Sequence, residues 1–173
     1  RHSMEMAVVQ LGGHPVYTRG EEIGLDVRES VEDVTRIMAG YHAVLAARVF
    51  RHSFIERMVA VSDVPVINML SDVAHPLQAL ADVIAMEELV GPIAQSTVAY
   101  IGDYNNVARS LAEAVCLLGG TISLGCPSAY DADDDELARL ASLGGAVRQS
   151  ASPQEAIAGA DVVHTDTWIS MGQ

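Results

Sequence analysis

The sequence predicts an α/β fold made of two lobes of βαβ units with parallel sheets, joined by a long bridging helix. Short apolar runs of β type alternate with helical stretches along the whole chain, which is the pattern of stacked βαβ units. Glycine pairs or a Gly-Pro step close several of the helical stretches. Half of the 173 residues are hydrophobic, so the chain can bury the core of one large domain or two small ones.

In the first half, three local signals define helix ends. Gly12-Gly13 closes the first helix, Ser30 and Asp33 form a capping-box pattern, and Pro76 stands where the first turn of a helix tolerates it. The predicted helices cover about residues 3–11, 30–40, 54–61 and 75–90. The predicted strands cover about residues 14–17, 43–49 and 64–68.

In the second half the alternation restarts after Gly91-Pro92, which ends the bridging helix. We expect strands at about 97–101, 121–124, 146–149 and 161–165, with helices at about 107–118, 134–143 and from 152 onward. The domain boundary is therefore expected near 91–96, which gives a first lobe of 1–90 and a second lobe of 91–173. A cleft between two such lobes is where ligands tend to bind.

Charge and composition exclude several classes of function. The net charge is −13 and all ten basic residues are arginines, so nucleic acid and anionic lipid are not expected as partners. No apolar run is long enough to cross a membrane, and residues 1–20 lack the apolar centre of a signal peptide, so we expect a cytoplasmic protein. Two cysteines without ligand spacing predict reduced, structural thiols, and the acidic run 131–136 predicts a solvated helix start without a metal.

Polar side chains gather at the carboxyl ends of predicted strands, where βα folds place binding groups. Arg48 ends one strand, and the segments 68–78, 102–106 and 166–172 follow three others. Each also has an ordinary structural interpretation, as a surface arginine, a helix cap or a turn. Gly102 is the single glycine of its loop, so the turn lacks the G-x-G-x-x-G pattern and no dinucleotide cofactor is expected.

Taken together, these segments resemble the ornithine carbamoyltransferase family in order and spacing. The resemblance spans essentially the whole chain, and three motifs carry it: Leu70-Ser-Asp with His75-Pro-Leu-Gln78, Gly102-Asp-Tyr-Asn-Asn106, and Asp166-Thr-Trp-Ile-Ser-Met-Gly-Gln173. Aspartate carbamoyltransferases share His-Pro-x-Gln, so the Asp-x-Trp-x-Ser-Met-Gly segment is what favours ornithine as the acceptor.

The resemblance implies a site for each substrate and no cofactor. The first lobe would bind carbamoyl phosphate through Arg1, Arg48, His75 and Gln78. Arg48 and His75 would polarise the carbonyl group and Gln78 would hold the carbamoyl amino group, which makes these three the catalytic residues. The second lobe would bind L-ornithine through Asn106 and Asp166, with Ser170 and Met171 on a loop that closes over it.

The resemblance also implies a homotrimer or an assembly of trimers acting in arginine biosynthesis. Two alternatives stay open: a carbamoyltransferase with another amine acceptor, and a non-catalytic paralogue that keeps the fold. Three positions depart from the family pattern, namely Gly24, Ala43 and Tyr104. The family's Ser-Thr-Arg-Thr segment would precede Arg1 and its His-Cys-Leu-Pro segment would follow Gln173, so we expect residues 1–173 alone to be inactive.

Overall fold

The computed structural model describes residues 1–167 and has the α/β class that the sequence predicts. Its strands are β1 (Leu45–Arg48), β2 (Val66–Leu70), β3 (Thr97–Ile101), β4 (Thr121–Gly125), β5 (Ala146–Ser150) and β6 (Val162–Thr165). Its helices are α1 (His2–Gln10), α2 (Gly20–Ile23), α3 (Val31–Ala39), α4 (His52–Val61), α5 (Pro76–Val90), α6 (Asn106–Leu117), α7 (Asp134–Ala141) and α8 (Pro153–Ile157). A single 3₁₀ turn, Ile93–Gln95, follows α5.

The second lobe is built on a four-stranded parallel sheet in the order β5-β4-β3-β6. The central strands β3 and β4 are almost entirely buried, as expected for a parallel sheet covered on both faces. Tyr100, Leu111 and Ile122 lie in its core and have at most 1% of their surface exposed. This sheet is what positions the loops of the second lobe.

The first lobe contains a two-stranded parallel sheet, in which Leu45 pairs with Val66 and Ala47 with Asn68. The predicted strand at 14–17 is wrong, because these residues pair with no strand within the described residues 1–167. Val16 and Tyr17 are about half exposed or more, and the guanidinium of Arg1 stacks on the Tyr17 ring at 3.9 Å. The β-type run at 14–17 predicted a strand, but no neighbouring strand within residues 1–167 pairs with it.

The predicted bridging helix is present as α5, and it packs mainly against α6 of the second lobe. Its residues Val83 and Met86 are buried in the same hydrophobic cluster as Leu111 and Ile122. The amino-terminal end of α5 instead follows the loop after β2, in the first lobe. One helix thus links the β2 loop to the core beneath the second sheet.

Most other predicted elements agree with the structure to within one to three residues at each end. The predicted cap of α3 is confirmed, since the hydroxyl of Ser30 accepts a hydrogen bond from the backbone N–H of Asp33 at 3.1 Å. The four-residue helix α2 and the 3₁₀ turn were not predicted, because such short elements lack a periodic pattern. Within residues 1–167, the structure contains no helix with the length and apolar character required to cross a membrane.

Candidate active site

In the second lobe, the order of the strands reverses at β3. The chain leaves β3 toward β4 on one side, whereas β6 adds to the other side of β3. Such a reversal of strand order opens a crevice beyond the carboxyl ends of the two strands. The loop 102–106 follows β3 and Asp166 follows β6, so both border this crevice.

Asn105 joins these two strand ends. Its side-chain oxygen caps α6 by accepting hydrogen bonds from the backbone N–H groups of Val107 and Ala108, at 2.9 and 3.0 Å. Its amide nitrogen donates to Oδ2 of Asp166 at 3.1 Å. Because both ends of the amide are engaged, Asn105 fixes where the Asp166 carboxylate points. The sequence alone indicated a turn followed by a helix cap at Asn105-Asn106, and it did not reveal the contact of Asn105 with Asp166.

Asn106 contacts the first lobe. Its side-chain amide donates to the carbonyl oxygen of Ser71 at 2.6 Å, in the loop between β2 and α5. Close by, the backbone N–H of His75 donates to the hydroxyl of Ser110 on α6 at 2.8 Å. These two hydrogen bonds tie the loop 71–75 to the second lobe. The predicted role of Asn106 in binding ornithine remains a prediction.

The loop 71–75 is also held from its own side. The hydroxyl of Ser71, which is fully buried, lies 2.8 Å from Nδ1 of His52 and accepts a hydrogen bond from the amide of Asn68 at 3.3 Å. The carboxylate of Asp72 accepts from the backbone N–H of His52 at 2.8 Å. The start of α4 and the loop that leads into α5 therefore form one unit.

His75 lies at the centre of the candidate site, at the N-cap of α5. Burial lowers the pKa of His75 below its ordinary value, and the positive charge of Arg48 lowers it further. The carboxylates of Asp166 and Asp82 act in the opposite direction. Nδ1 of His75 is buried and has no hydrogen-bond partner within residues 1–167. A neutral imidazole in this position can offer a hydrogen bond to a ligand without carrying a charge of its own.

Arg48 lies at the end of β1 and is exposed. It lines an open groove of about 320 Å³ together with Arg51 and Phe54, where α4 begins. The ring of Phe54 has the guanidinium carbons of Arg51 and Arg57 within 5.9 and 5.7 Å of its centroid. Two arginines on one concave surface provide the local positive charge that an anionic ligand needs against the net charge of −13.

Gln78 is on the first turn of α5 and exposed, and its amide nitrogen donates to Oδ1 of Asp82 at 2.9 Å. The other carboxylate oxygen of Asp82 lies 3.2 Å from Nε2 of His164 on β6, although the two atoms are not aligned for a hydrogen bond. The charges of Arg48, Asp82 and Asp166 all act on His75. The structure therefore places residues from both lobes around the amino-terminal end of α5.

Three predicted site residues remain, of which the structure describes Arg1. Arg1 forms an ion pair with Glu5 at 3.1 Å and stacks on Tyr17, at the start of α1. Ser170 and Met171 lie outside the described residues. The roles assigned to these three remain predictions.

Tyr104, one of the departures from the family pattern, anchors the loop that carries Asn105. Its hydroxyl donates to Oε1 of Glu136 at 2.8 Å, and its backbone N–H donates to the carbonyl oxygen of Tyr130 at 2.7 Å. Glu136 also accepts from Arg109 and Arg139, at 3.1 and 2.7 Å. Arg139 is the main reason why the pKa of Glu136 is lowered to about 2, with Tyr104 and Arg109 adding to the effect.

Within residues 1–167 no three His, Cys, Asp or Glu side chains are grouped so that they could hold a metal ion. Cys116 and Cys126 are free and buried. Burial raises the pKa of Cys126 to about 12, so its thiol is protonated at neutral pH.

Comparison with protein families matches both halves of the chain. Residues 1–88 match the aspartate/ornithine carbamoyltransferase carbamoyl-P binding domain. Residues 94–173 match the aspartate/ornithine carbamoyltransferase Asp/Orn binding domain.

Individual proteins give the same result. The chain is 45% identical over 178 aligned residues to an ornithine carbamoyltransferase of Hyperthermus butylicus, covering 100% of this chain and 57% of that protein. It is 41% identical to one of Caulobacter vibrioides, covering 99% of this chain and 55% of the relative. The solved ornithine carbamoyltransferase of Pyrococcus furiosus superposes with a TM-score of 0.94 at 38% identity, covering 100% of this chain and 56% of that one. The chain thus spans just over half the length of the relatives it matches.

Proposed function

The chain belongs to the aspartate/ornithine carbamoyltransferase family, and from this premise we propose that the whole protein transfers a carbamoyl group from carbamoyl phosphate to the side-chain amine of L-ornithine. The products are citrulline and phosphate. The observation that carries the proposal is that groups from both lobes meet at the start of α5. There His75 and Ser71 are hydrogen-bonded to Ser110 and Asn106 of the second lobe, and the charges of Arg48 and Asp166 both act on His75. A reaction between one ligand on each lobe needs groups from both lobes around the reacting atoms.

The first-lobe residues suit the carbamoyl phosphate end of the reaction. When an amine attacks the carbonyl carbon, negative charge develops on the carbonyl oxygen. Arg48 and His75 would donate hydrogen bonds to this oxygen, and the groove beside Arg48 leaves room for an anionic group. The amide of Gln78 would bind the carbamoyl amino group. Arg1 would contribute to phosphate binding, as the family resemblance implies.

The second-lobe residues suit the amino acid. The Asp166 carboxylate, held by Asn105, would pair with the α-ammonium group of ornithine. Asn106 would contact the α-carboxylate, and Ser170 and Met171 would cover the bound substrate. The attacking amine forms the new C–N bond, the C–O bond to phosphate breaks, and the proton that the amine loses ends on the departing phosphate. An alkyl amine has a pKa near about 10.4, so the reactive form is the minor neutral one at pH 7.

The test is a direct assay of the whole protein with carbamoyl phosphate and either ornithine or aspartate. We expect citrulline with ornithine and no carbamoyl aspartate with aspartate. Product formed with aspartate or with another amine alone would instead favour a different acceptor. A folded protein that binds carbamoyl phosphate but forms no product with either would favour the non-catalytic paralogue.

We also propose that the protein is a homotrimer or an assembly of trimers, works in the cytoplasm and serves arginine biosynthesis. Large apolar side chains on the first lobe support an assembly, because Leu11, Val27 and Tyr41 are each more than 80% exposed. Light scattering of the whole protein tests this point. A monomer at micromolar concentration would contradict it.

A further inference from the structure

The contact between Gln78, Asp82 and His164 crosses from the bridging helix to the second sheet. Asp82 lies one turn after Gln78 on α5, and its side chain is 14% exposed. One carboxylate oxygen accepts from Gln78 at 2.9 Å, and the other faces His164 at 3.2 Å. The Asp82 carboxylate therefore contacts Gln78 on its own helix and His164 on the second sheet.

The carboxylate determines which end of the Gln78 amide faces outward. An ionised carboxylate only accepts hydrogen bonds, so the amide nitrogen of Gln78 must turn toward Asp82. Because the amide is planar, its oxygen then lies at the opposite corner. A carbamoyl amino group offers N–H donors and needs an acceptor. The outward-facing oxygen of Gln78 is such an acceptor.

His164 also packs against Tyr100, which lies next to Asn105. Its ring stacks on Tyr100 with 5.8 Å between centroids and an angle of 20°. The Tyr100 hydroxyl lies 3.5 Å from the side-chain oxygen of Asn105, which bonds to Asp166 through its amide nitrogen. His164 lies on β6, and Asp166 follows directly after the strand ends at Thr165.

We propose that Asp82 and His164 are positioning residues for the carbamoyl group. Asp82 keeps the Gln78 amide in the orientation that accepts from the carbamoyl amino group, and His164 holds Asp82 from the second lobe. The inference rests on the proposed function, since it concerns the way in which Gln78 meets carbamoyl phosphate. Through the contact of His164 with Asp82, the second lobe would affect which ligand the first lobe binds.

The test compares carbamoyl phosphate with acetyl phosphate, which has a methyl group in place of the amino group. Calorimetric titration of the whole protein with each ligand separates the Gln78 contact from all phosphate contacts. In Asp82→Asn, the new side chain carries both a donor and an acceptor, so Gln78 is no longer held with its nitrogen toward position 82 and its oxygen can turn inward. We expect carbamoyl phosphate to bind about tenfold more weakly, which is the size of one hydrogen bond. The affinity for acetyl phosphate should change less than about twofold.

The double variant gives the sharper result. His164→Phe keeps a ring against Tyr100 but removes the nitrogen that lies 3.2 Å from the Asp82 carboxylate, so it should weaken carbamoyl phosphate binding only while Asp82 is present. We expect the double variant Asp82→Asn/His164→Phe to bind carbamoyl phosphate as Asp82→Asn alone does. His14→Phe, an exposed histidine in the first lobe, is the matched control and should bind both ligands as the unaltered protein does.

Several outcomes would overturn the inference. Equal losses for both ligands in Asp82→Asn would mean a general structural role. A double variant that binds carbamoyl phosphate more weakly than Asp82→Asn would show that His164 does not act through Asp82. If Asp82→Asn binds neither ligand, Asp82→Ser replaces it, with the same expected selectivity for acetyl phosphate. An unaltered protein that forms no citrulline would sink the proposed function itself. Citrulline formation with unchanged selectivity in the variants would sink the positioning role alone.

Discussion

Asn105 donates a hydrogen bond to Asp166 across the carboxyl ends of β3 and β6, with 3.1 Å between Nδ2 and Oδ2. The contact fixes a carboxylate at the crevice where the strand order reverses. An asparagine at 166 could still accept this hydrogen bond, because its side chain keeps one oxygen. Substitution at this position can therefore remove the charge and leave the local geometry in place.

Asp166→Asn should weaken ornithine binding far more than carbamoyl phosphate binding. The variant loses the charge that pairs with an ammonium group, an interaction worth roughly 1.5–3 kcal/mol. Calorimetric titration of each ligand measures the two losses, with Asp63→Asn on the exposed surface of the first lobe as the control. Equal losses would mean that Asp166 shapes the cleft and does not bind the amino acid.

Arg48→Ala should lower transition-state stabilisation, measured from kcat/KM, by roughly 3 kcal/mol, the scale of losing an oxyanion donor. The guanidinium is needed where the carbonyl oxygen becomes negative. Arg36→Ala is a suitable control, because Arg36 is exposed on α3 and pairs with Asp33 three residues away. Steady-state assays of citrulline formation compare the two, and unchanged turnover in Arg48→Ala would remove this residue from the site.

The pKa of His75 should respond in opposite directions to charges from the two lobes. Arg48→Gln removes a positive charge that lowers this pKa, so it should rise. Asp166→Asn removes a negative charge that raises it, so the pKa should fall. NMR titration of the imidazole signals, assigned with His75→Asn, measures both shifts. A shift of the same sign in both variants would contradict the arrangement of charges around His75.

Tyr104→Phe should raise the KM for ornithine while leaving the affinity for carbamoyl phosphate unchanged. The substitution removes the hydrogen bond to Glu136 that anchors the loop before Asn105, and it should cost about 1 kcal/mol of stability. Tyr130→Phe is the matched control, since Tyr130 bonds to the loop through its backbone carbonyl. An unaltered KM with the expected loss of stability would limit Tyr104 to a structural role.

Glu136 should contribute to the loss of stability in acid. Its pKa is lowered to about 2 in the folded protein, so the folded state binds fewer protons than the unfolded state between about pH 4.5 and 2. The stabilisation is present above that range and is lost as the pH falls through it. Urea unfolding of Glu136→Gln should therefore show a destabilisation that shrinks across this range. A difference independent of pH would mean that the charge of Glu136 does not stabilise the fold.

The periodicity of the sequence predicted the fold well where an element is long and its environment simple. The parallel strand β3 was predicted to the residue, because a buried run between turn signals has few alternative structures. The segment at 14–17 failed because a β-type run cannot reveal whether a partner strand exists. Sequence alone has no information on the neighbours that complete a sheet.

The site was predictable by segment but not by contact. Polar residues after strands marked the loop 102–106 and Asp166, because parallel strands bring their carboxyl ends together. Which asparagine of the adjacent pair would face Asp166 depends on the rotation at the start of α6, and it is Asn105. The approach of His164 to Asp82 joins residues far apart in the chain, so no local pattern signals it.

The double membership of α5 limits how the two halves of this protein could be exchanged with those of another. Its amino-terminal end carries His75 and Gln78, whereas Val83 and Met86 fill the core under the second sheet. A hybrid joined after the helix would place Val83 and Met86 against the core residues of a different protein. A hybrid joined before it would move His75 and Gln78 to the other parent. Shuffling of lobes at this helix therefore disturbs either packing or chemistry, and we expect new acceptor preferences to have arisen by substitutions within the second lobe.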